Sequence, residues 1–270
     1  MSRRYFGTDG VRGTVGDDPM SAEFALRLAS AAAQVLVPEG GTVLIGKDTR
    51  LSGYMFESAL EAGFVAAGAD VLLLGPLPTP GIANLTREFG ADLGVVISAL
   101  HNPYHDNGIK FFDRDGAKLS DAVEAEIESL LKNPAVTLES SRLGKAIRID
   151  TARERYQEFC QSTFPEGLDL DGMNVVFDGA NGAGYKVGPA VFEELDAKVV
   201  RLGVEPNGTN INDGVGAMHT DRAAAAVVER GADVGICFDG DGDRCLLIDH
   251  RGRLVDGDHV LAICGRALKE

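Results

Sequence analysis

Short apolar runs alternate with amphipathic stretches along most of this chain. Apolar runs of this kind, bounded by glycine or polar residues, indicate buried strands, and the stretches between them have the i, i+3, i+4 spacing of helix faces. Strands that alternate with helices form βαβ units, because parallel neighbours need a long crossover connection. We therefore predict an α/β fold, with mostly parallel mixed sheets covered by helices on both faces.

The individual elements follow from this pattern. The predicted strands are Val43–Ile45, Val71–Leu74, Gly94–Ile97, Ile109–Phe112, Val175–Phe177, Val199–Leu202, Val234–Phe238 and Leu246–Ile248. The predicted helices are Ser21–Val35, Phe56–Ala67, Ala122–Leu131, Ala152–Phe159, Ala190–Leu195, Ala223–Arg230 and Val260–Leu268. Two glycines, Gly68 and Gly231, directly follow predicted helices and indicate C-terminal caps.

A polar segment around residues 132–149 divides the pattern into two units. We predict two successive three-layer α/β/α domains, at residues 1–150 and 151–255, and the start of a third at residues 256–270. The last helix, Val260–Leu268, has no strand partner of its own. It must pack on the second domain or leave an apolar face exposed.

Composition excludes several classes of function. The 270 residues are 44% hydrophobic and 25% charged, as expected for a globular protein. The net charge of −15 argues against nucleic acid as a partner. No apolar run approaches the roughly 20 residues of a membrane span, and the first residues lack the apolar core of a signal peptide. The four cysteines form no Cys-x-x-Cys pair. We predict a cytoplasmic protein with reduced cysteines.

The acidic loop Asp239-Gly-Asp-Gly-Asp-Arg244 is the motif in the sequence that most strongly indicates a binding site. It follows a predicted strand, and ligands bind at the carboxyl ends of strands in open α/β sheets. The three carboxylates, of Asp239, Asp241 and Asp243, would span roughly 13 Å in an extended chain. The glycines between them permit the sharp curl that one magnesium ion needs, with its oxygen ligands at about 2.1 Å.

Two other interpretations of this loop are weaker. A calcium EF-hand requires glycine at the sixth position and glutamate at the twelfth, where this chain has Arg244 and His250. A merely solvated acidic turn would leave three carboxylates repelling one another without compensation. Arg244 could neutralise part of that charge or bind a phosphate in bidentate fashion.

A second candidate region joins the strands Gly94–Ile97 and Ile109–Phe112. It contains His101-Asn102-Pro103, and Asp106-Asn107-Gly108 indicates a turn into the second strand. Lys110 alternates with its apolar neighbours and so points to the opposite face from them. It could exchange a proton if its pKa were lowered, or it could be an ordinary solvent-facing lysine.

Several separate motifs resemble those of the α-D-phosphohexomutase family, in order along the chain. They are Tyr5-Phe-Gly-Thr-Asp-Gly-Val-Arg-Gly13, Gly46-Lys-Asp-Thr-Arg50, His101-Asn-Pro103 with Gly108-Ile-Lys-Phe111, and Asp239–Arg244. The sequences of these motifs, together with Pro206-Asn-Gly-Thr-Asn-Ile-Asn212, most resemble those of the bacterial branch that interconverts glucosamine 6-phosphate and glucosamine 1-phosphate. The resemblance covers essentially the whole chain.

The resemblance implies four domains around a cleft and a serine that passes a phosphoryl group to and from a phosphorylated hexosamine. It implies one Mg²⁺ held by Asp239, Asp241 and Asp243. It makes Lys110 the general acid/base, supported by His101. The basic residues expected to face phosphate or substrate are Arg12, Arg50 and Arg244.

The chain departs from the family pattern at two points. Leu100 stands where the family has its phosphoryl-carrying serine, in Ser98-Ala99-Leu100-His101, and leucine has no oxygen to phosphorylate. Ser98 would lie roughly 6.6 Å away along a strand, too far for in-line transfer. The chain is also shorter than a four-domain protein, so we expect it to lack the sugar- and phosphate-gripping loops of the later domains.

Three functions remain open from the sequence. The leading one is mutase action on glucosamine phosphates, which feeds amino-sugar and cell-wall precursors, in a chain impaired by Leu100 and by its length. The second is the same chemistry on mannose or glucose phosphates. The third, from a different class, is a non-catalytic module that binds a metal or a phosphosugar. The oligomeric state is not predicted.

Overall fold

The computed structural model describes residues 4–269. Residues 1–3 and residue 270, at the ends of the first and third predicted domains, lie outside the described residues. The strands are β1 Val11–Thr14, β2 Thr42–Lys47, β3 Asp70–Pro76, β4 Leu93–Ile97, β5 Asp106–Asp113, β6 Ala146–Arg148, β7 Asn174–Asp178, β8 Lys198–Leu202, β9 Val234–Phe238, β10 Cys245–Asp249 and β11 Leu254–Val255. The helices are α1 Ala22–Leu36, α2 Ser52–Ala66, α3 Thr79–Glu88, α4 Asp121–Leu130, α5 Ala152–Ser162, α6 Val187–Glu194, α7 Asp221–Arg230 and α8 Gly257–Ala267.

The first sheet has the strand order β1-β5-β4-β2-β3-β6. The pairs β4–β2, β2–β3 and β3–β6 are parallel, while β5 and β1 run antiparallel at one edge. The connection between β4 and β5, residues 98–105, is too short for a crossover helix, which forces the antiparallel pairing. That short connection is the candidate phosphoryl-carrying loop.

Helices cover both faces of the first sheet. Alternate residues of β2 point to opposite sides, so that Ile45 packs with α1 and α2 while Leu44 packs with α3. The strands are therefore buried on both faces, which is why they read as nearly continuous apolar runs. This arrangement gives the first α/β/α layer set.

The second sheet has the strand order β11-β10-β9-β7-β8. Its parallel pairs are β7–β8 and β7–β9, and β10 and β11 are antiparallel. On one face Val176 packs with Val227 of α7, and on the other Phe177 packs with Phe192 of α6. The predicted α/β class with two three-layer units and mixed sheets is confirmed.

All the predicted strands and helices are present, with ends shifted by a few residues. The sequence missed β1, β6, β11 and α3. All three residues of β6 are exposed, so it carries no apolar signal. Helix α3 starts Thr79-Pro80-Gly81. Proline and glycine usually indicate a turn, so this pattern did not predict a helix, although proline is well tolerated in the first turn of one.

The predicted turn at Asp106-Asn107-Gly108 is wrong. These residues already belong to β5, where they pair with Thr14, Gly13 and Arg12 of β1. The turn lies just before them, since the Asp106 N–H donates to the Pro103 carbonyl. Pairing with β1, a strand that the sequence did not reveal, extends β5 towards the loop.

The segment at residues 132–149 packs on the first unit and ends in β6, which adds to the edge of the first sheet. The domain boundary at residue 150 stays a prediction. Directly after it, Ala152 and Tyr156 of α5 join one apolar cluster with Leu74 and Ile82 of the first unit and Val187 of the second. The two units therefore share buried apolar surface.

Helix α8 is described in full, and none of its residues is buried. Leu261 and Ile263 are exposed, so the second of the two alternatives predicted for this helix is the observed one. Among residues 4–269 no helix has the length and apolar character to cross a bilayer.

Candidate active site and cation site

The acidic turn lies between β9 and β10, and its three carboxylates converge. One carboxylate oxygen from each of Asp239, Asp241 and Asp243 lies within 4.8 Å of the others. Gly242 has a positive φ of 70°, and its N–H donates to the Asp239 carbonyl at 3.1 Å. Glycine is needed here because the turn closes through a left-handed residue.

The acidic turn carries unsatisfied charge. Asp239 and Asp241 are buried, with 0% and 1% of their surface exposed. Within residues 4–269, Asp239 Oδ2 and Asp241 Oδ1 accept no hydrogen bond. Burial, followed by the neighbouring carboxylates, raises the pKa of Asp239 to about 7, and burial also raises the pKa of Asp241. Orphaned buried carboxylate oxygens are the donor set that fits a hard divalent cation. Because two of the three carboxylates are buried, the turn is not merely a solvated one, and the cation site stays a prediction.

Lys110 lies beside this turn. Its Nζ is 3.0 Å from Asp9 Oδ2 and 3.4 Å from Asp241 Oδ2, and its side chain is 8% exposed. The solvent-facing interpretation of this lysine is wrong, because β5 presents it to the junction between the two units. Asp9 was not singled out from the sequence, although it lies in the Tyr5–Gly13 motif.

His101 is partly buried next to exposed guanidinium groups. Burial, then the positive charges of Arg244 and Arg12, lower the pKa of this histidine. The imidazole is therefore neutral at neutral pH, and His101 Nδ1 is buried without a hydrogen-bond partner in the part of the chain that the structure describes. Arg12 and Arg244 have exposed side chains, and their predicted role in binding phosphate stays a prediction.

Arg50 does not face a substrate, contrary to the prediction. It is completely buried and paired with Asp48. Its Nη2 donates to the carbonyl oxygens of Leu100, at 3.1 Å, and Asn102, at 2.6 Å. The side chain folds back under the loop because the loop carbonyls and Asp48 supply the partners that a buried guanidinium needs. Arg50 therefore holds the loop rather than a phosphate.

Leu100 adopts a left-handed conformation with φ 57° and is 6% exposed. This conformation costs a bulky residue about 1–2 kcal/mol, so the surroundings must impose it. They do so through the carbonyl of Leu100, which accepts from Arg50 and also from Asn212 Nδ2 at 3.0 Å. The loop thus keeps a defined shape without the hydroxyl of a serine.

Ser98 is occupied within this network. Its hydroxyl donates to Asp48 Oδ2 at 2.6 Å and accepts from the Leu100 N–H at 3.0 Å, and the residue is 1% exposed. A hydroxyl committed in this way is not presented to a cleft. The geometry supports the expectation that Ser98 does not replace the missing serine.

The acidic turn and the loop at residue 100 lie against each other. A Cβ placed on Gly240 would come within 2.6 Å of the Leu100 carbonyl oxygen. From the first unit, Thr79 Oγ1 donates to Asp241 Oδ2 at 2.5 Å. The sequence did not identify Thr79 or Asn212, and the only available signal was the place of Asn212 in the Pro206–Asn212 motif.

Comparison with known proteins agrees with this architecture. The chain matches the family model "Phosphoglucomutase/phosphomannomutase, alpha/beta/alpha domain I" over residues 3–136 and the corresponding domain II model over residues 154–252. The chain belongs to the phosphoglucomutase/phosphomannomutase family, and the predicted phosphohexomutase resemblance is confirmed.

Among individual relatives, a phosphoglucosamine mutase of Chromohalobacter salexigens is 59% identical over 271 aligned residues, which cover 98% of this chain and 60% of the relative. The chain thus spans about 60% of the length of the curated relatives that it matches.

Two solved structures share the fold. A phosphoglucomutase/phosphomannomutase family protein from Burkholderia thailandensis superposes with TM-score 0.82 at 23% identity, covering 97% of this chain and 58% of that one. Aspergillus fumigatus N-acetylphosphoglucosamine mutase, solved in complex with GlcNAc-6P and magnesium, superposes with TM-score 0.51 at 15% identity, covering 95% and 53%.

Proposed function

We propose that this chain provides the phosphoryl loop and the cation loop of a phosphoglucosamine mutase, an enzyme that interconverts glucosamine 6-phosphate and glucosamine 1-phosphate through a bisphosphorylated sugar. The observation that carries the proposal is the convergence of three carboxylates, two of them buried, against the loop at residue 100. The 59% identity to a phosphoglucosamine mutase supports this choice of substrate.

Asp239, Asp241 and Asp243 would hold one Mg²⁺, with the orphaned oxygens of the first two as ligands. When bound there, the ion supplies positive charge that offsets the negative charge of a phosphoryl group during transfer. The oxygen-only donor set suits magnesium.

The remaining side chains divide the other tasks. Lys110 would exchange a proton with a sugar hydroxyl, since it is a buried amine only 3.4 Å from Asp241 Oδ2 in the acidic turn. His101, neutral because of its lowered pKa, would orient the loop or the substrate without adding charge. Arg12 and Arg244 keep exposed guanidinium groups, which bind phosphate oxygens in bidentate fashion.

Leu100 removes the covalent step from this scheme. By resemblance, the residue at this position carries the phosphoryl group on a hydroxyl oxygen, and leucine has none. We propose that the chain binds the cation and the sugar phosphate without transferring phosphorus. This second candidate function, a binding module, is favoured by the buried, hydroxyl-free Leu100 and by the engaged hydroxyl of Ser98.

The test is Leu100→Ser, with Leu100→Ala as the control that removes the leucine without adding a hydroxyl. Each protein is incubated with Mg²⁺ and ³²P-labelled glucose 1,6-bisphosphate, and protein-bound label is measured. We expect label on the serine variant only. Equal labelling of the Leu100 chain would show that another residue accepts phosphorus. Turnover of glucosamine, mannose and glucose 6-phosphates by the serine variant then separates phosphoglucosamine mutase from phosphomannomutase or phosphoglucomutase activity.

A further inference from the structure

The acidic turn of the second unit is anchored on a residue of the first. Thr79 is the first residue of α3 and is 8% exposed. Its hydroxyl donates to Asp241 Oδ2 at 2.5 Å, and its backbone N–H donates to the Asp241 carbonyl at 2.9 Å. One residue of the first unit thus binds both the side chain and the main chain of a predicted cation ligand.

The turn also packs directly on the chain that leads into α3. A Cβ on Gly242 would lie 3.3 Å from the Pro78 Cβ, so the turn backbone lies against the Pro78 ring beside the Thr79 contact. Pro78 has a fixed φ and directly precedes Thr79, which limits the backbone freedom of this support. The anchor is therefore rigid on the side of the first unit.

These contacts divide the two oxygens of Asp241 between two tasks. Oδ2 faces the first unit, where it accepts from Thr79 and lies 3.4 Å from Lys110 Nζ. Oδ1 is buried and has no partner among the described residues. Because both oxygens belong to one planar group, a fixed Oδ2 also fixes the direction in which Oδ1 points.

We infer that Thr79 is a positioning residue of the cation site, acting through Asp241 from the opposite side of the junction between the units. This inference rests on the proposed function of the acidic turn as a Mg²⁺ site. Thr79 does not supply a ligand oxygen itself. It sets the orientation of Asp241 before the ion arrives, and loss of such outer partners typically weakens metal binding by about 10- to 100-fold.

The experiment is Mg²⁺ titration of the 270-residue chain by isothermal calorimetry, with the melting temperature measured in parallel. Thr79→Val keeps the shape and the backbone N–H but removes the hydroxyl. Thr79→Ser restores a hydroxyl. The matched control is Thr86→Val in the same helix, because Thr86 is fully buried and its hydroxyl donates to the Ile82 carbonyl within that helix.

We expect Thr79→Val to bind Mg²⁺ about tenfold or more weakly, Thr79→Ser to bind as the unaltered chain does, and Thr86→Val to lose stability without losing affinity. Unchanged Mg²⁺ affinity in Thr79→Val would overturn the positioning role of Thr79 but not the cation site. If the unaltered chain binds no Mg²⁺, or Asp241→Asn binds it equally well, the cation site itself is overturned. Should Thr79→Val not fold, Thr79→Ala compared with Thr86→Ala decides the same question.

Discussion

Asp239 combines full burial with a pKa raised to about 7, first by burial and then by Asp241 and Asp243. The usual pKa of this group is 3.8, so between these two values Asp239 binds more proton in the folded chain than in the unfolded chain. The contribution of this group to stability is therefore fully present at low pH and is lost as the pH rises through about 7.

This shift predicts how cation binding depends on pH. Binding of Mg²⁺ requires the ionised carboxylate, so it displaces the proton of Asp239 and becomes tighter from about pH 5.5 to about pH 7.5. Calorimetric titrations in two buffers of different ionisation enthalpy measure both the affinity and the protons released. An affinity that stays flat over this range, with no proton release, would contradict the assignment.

Gly10 lies where an added side chain should destabilise the fold. It has φ 76°, and a Cβ there would lie 2.3 Å from the Ile109 carbonyl oxygen. We expect Gly10→Ala to reduce the free energy of unfolding by about 2–5 kcal/mol, from backbone strain and overpacking together, and to disturb the neighbouring Asp9–Lys110 pair.

Gly16→Ala is the matched control for Gly10→Ala. Gly16 also has a positive φ, of 99°, but nothing lies within 4 Å of its added Cβ. Gly16→Ala should reduce the free energy of unfolding only by the backbone strain, about 1–2 kcal/mol. Urea unfolding of both variants gives the comparison, and equal losses would show that the clash at Gly10 is relieved by movement of β5.

At the scale of elements, the loop after β4 is held by donors from both units. Arg50 from the first unit and Asn212 from the second donate to the same two carbonyls, those of Leu100 and Asn102. The shape of this loop therefore depends on the junction as well as on its own residues. Such double support explains how Leu100 stays in a left-handed conformation.

Removing the donor of Asn212 should loosen this loop. Asn212→Gly removes the amide donor, leaves the two carbonyls with Arg50 and tolerates the positive φ of 59° at this position, so it should cost about 1–3 kcal/mol. We expect faster amide hydrogen exchange at residues 99–102. Asn210→Gly is the control, because Asn210 Nδ2 donates to the Glu205 carbonyl within the second unit. Equal exchange at residues 99–102 in both variants would contradict the role of Asn212 in holding this loop.

The sequence predicted those strands and helices whose burial requires apolar residues. β2, β4 and β9 are buried on both faces and appear as apolar runs, whereas β6 is exposed and has no such signal. The acidic turn was predictable because glycines alternate with carboxylates. The burial of Arg50 was not predictable. The sequence alone does not distinguish an arginine that binds a phosphate from one that donates to backbone carbonyls.

At the scale of the molecule, one apolar cluster connects the two units. Tyr156 of α5 lies in it, and its ring packs so closely on Gly81 of α3 that an added Cβ would come within 2.8 Å. Val187 of α6 belongs to the same cluster. Shared burial of this kind couples the unfolding of the two sheets.

We therefore expect one cooperative transition when the chain is unfolded by heat or urea, with circular dichroism and calorimetry in agreement. Tyr156→Ala should cost about 3 kcal/mol or more and separate the two units into two transitions. The control is Tyr104→Ala, because Tyr104 is exposed on the loop at residue 100. Two transitions in the unaltered chain would contradict the coupling.

Contacts across the junction were the part of the site that the sequence did not reveal. Thr79 and Asp241 are separated by 162 positions, and Asn212 and Leu100 by 112. Strand and helix periodicity report local structure and carry no information about how two units meet. The motifs marked the residues of the site, but only the packed fold shows which of them support the others.

Lys110 has a consequence for the protein before any ligand binds. The chain has a net charge of −15, and this ammonium group lies between the partly exposed Asp9 and the buried Asp241, one from each unit. It acts as a counter-ion that offsets repulsion between these carboxylates across the junction between the units. We therefore expect the two units to stay together after chelation, with the acidic turn still lying against the loop at residue 100.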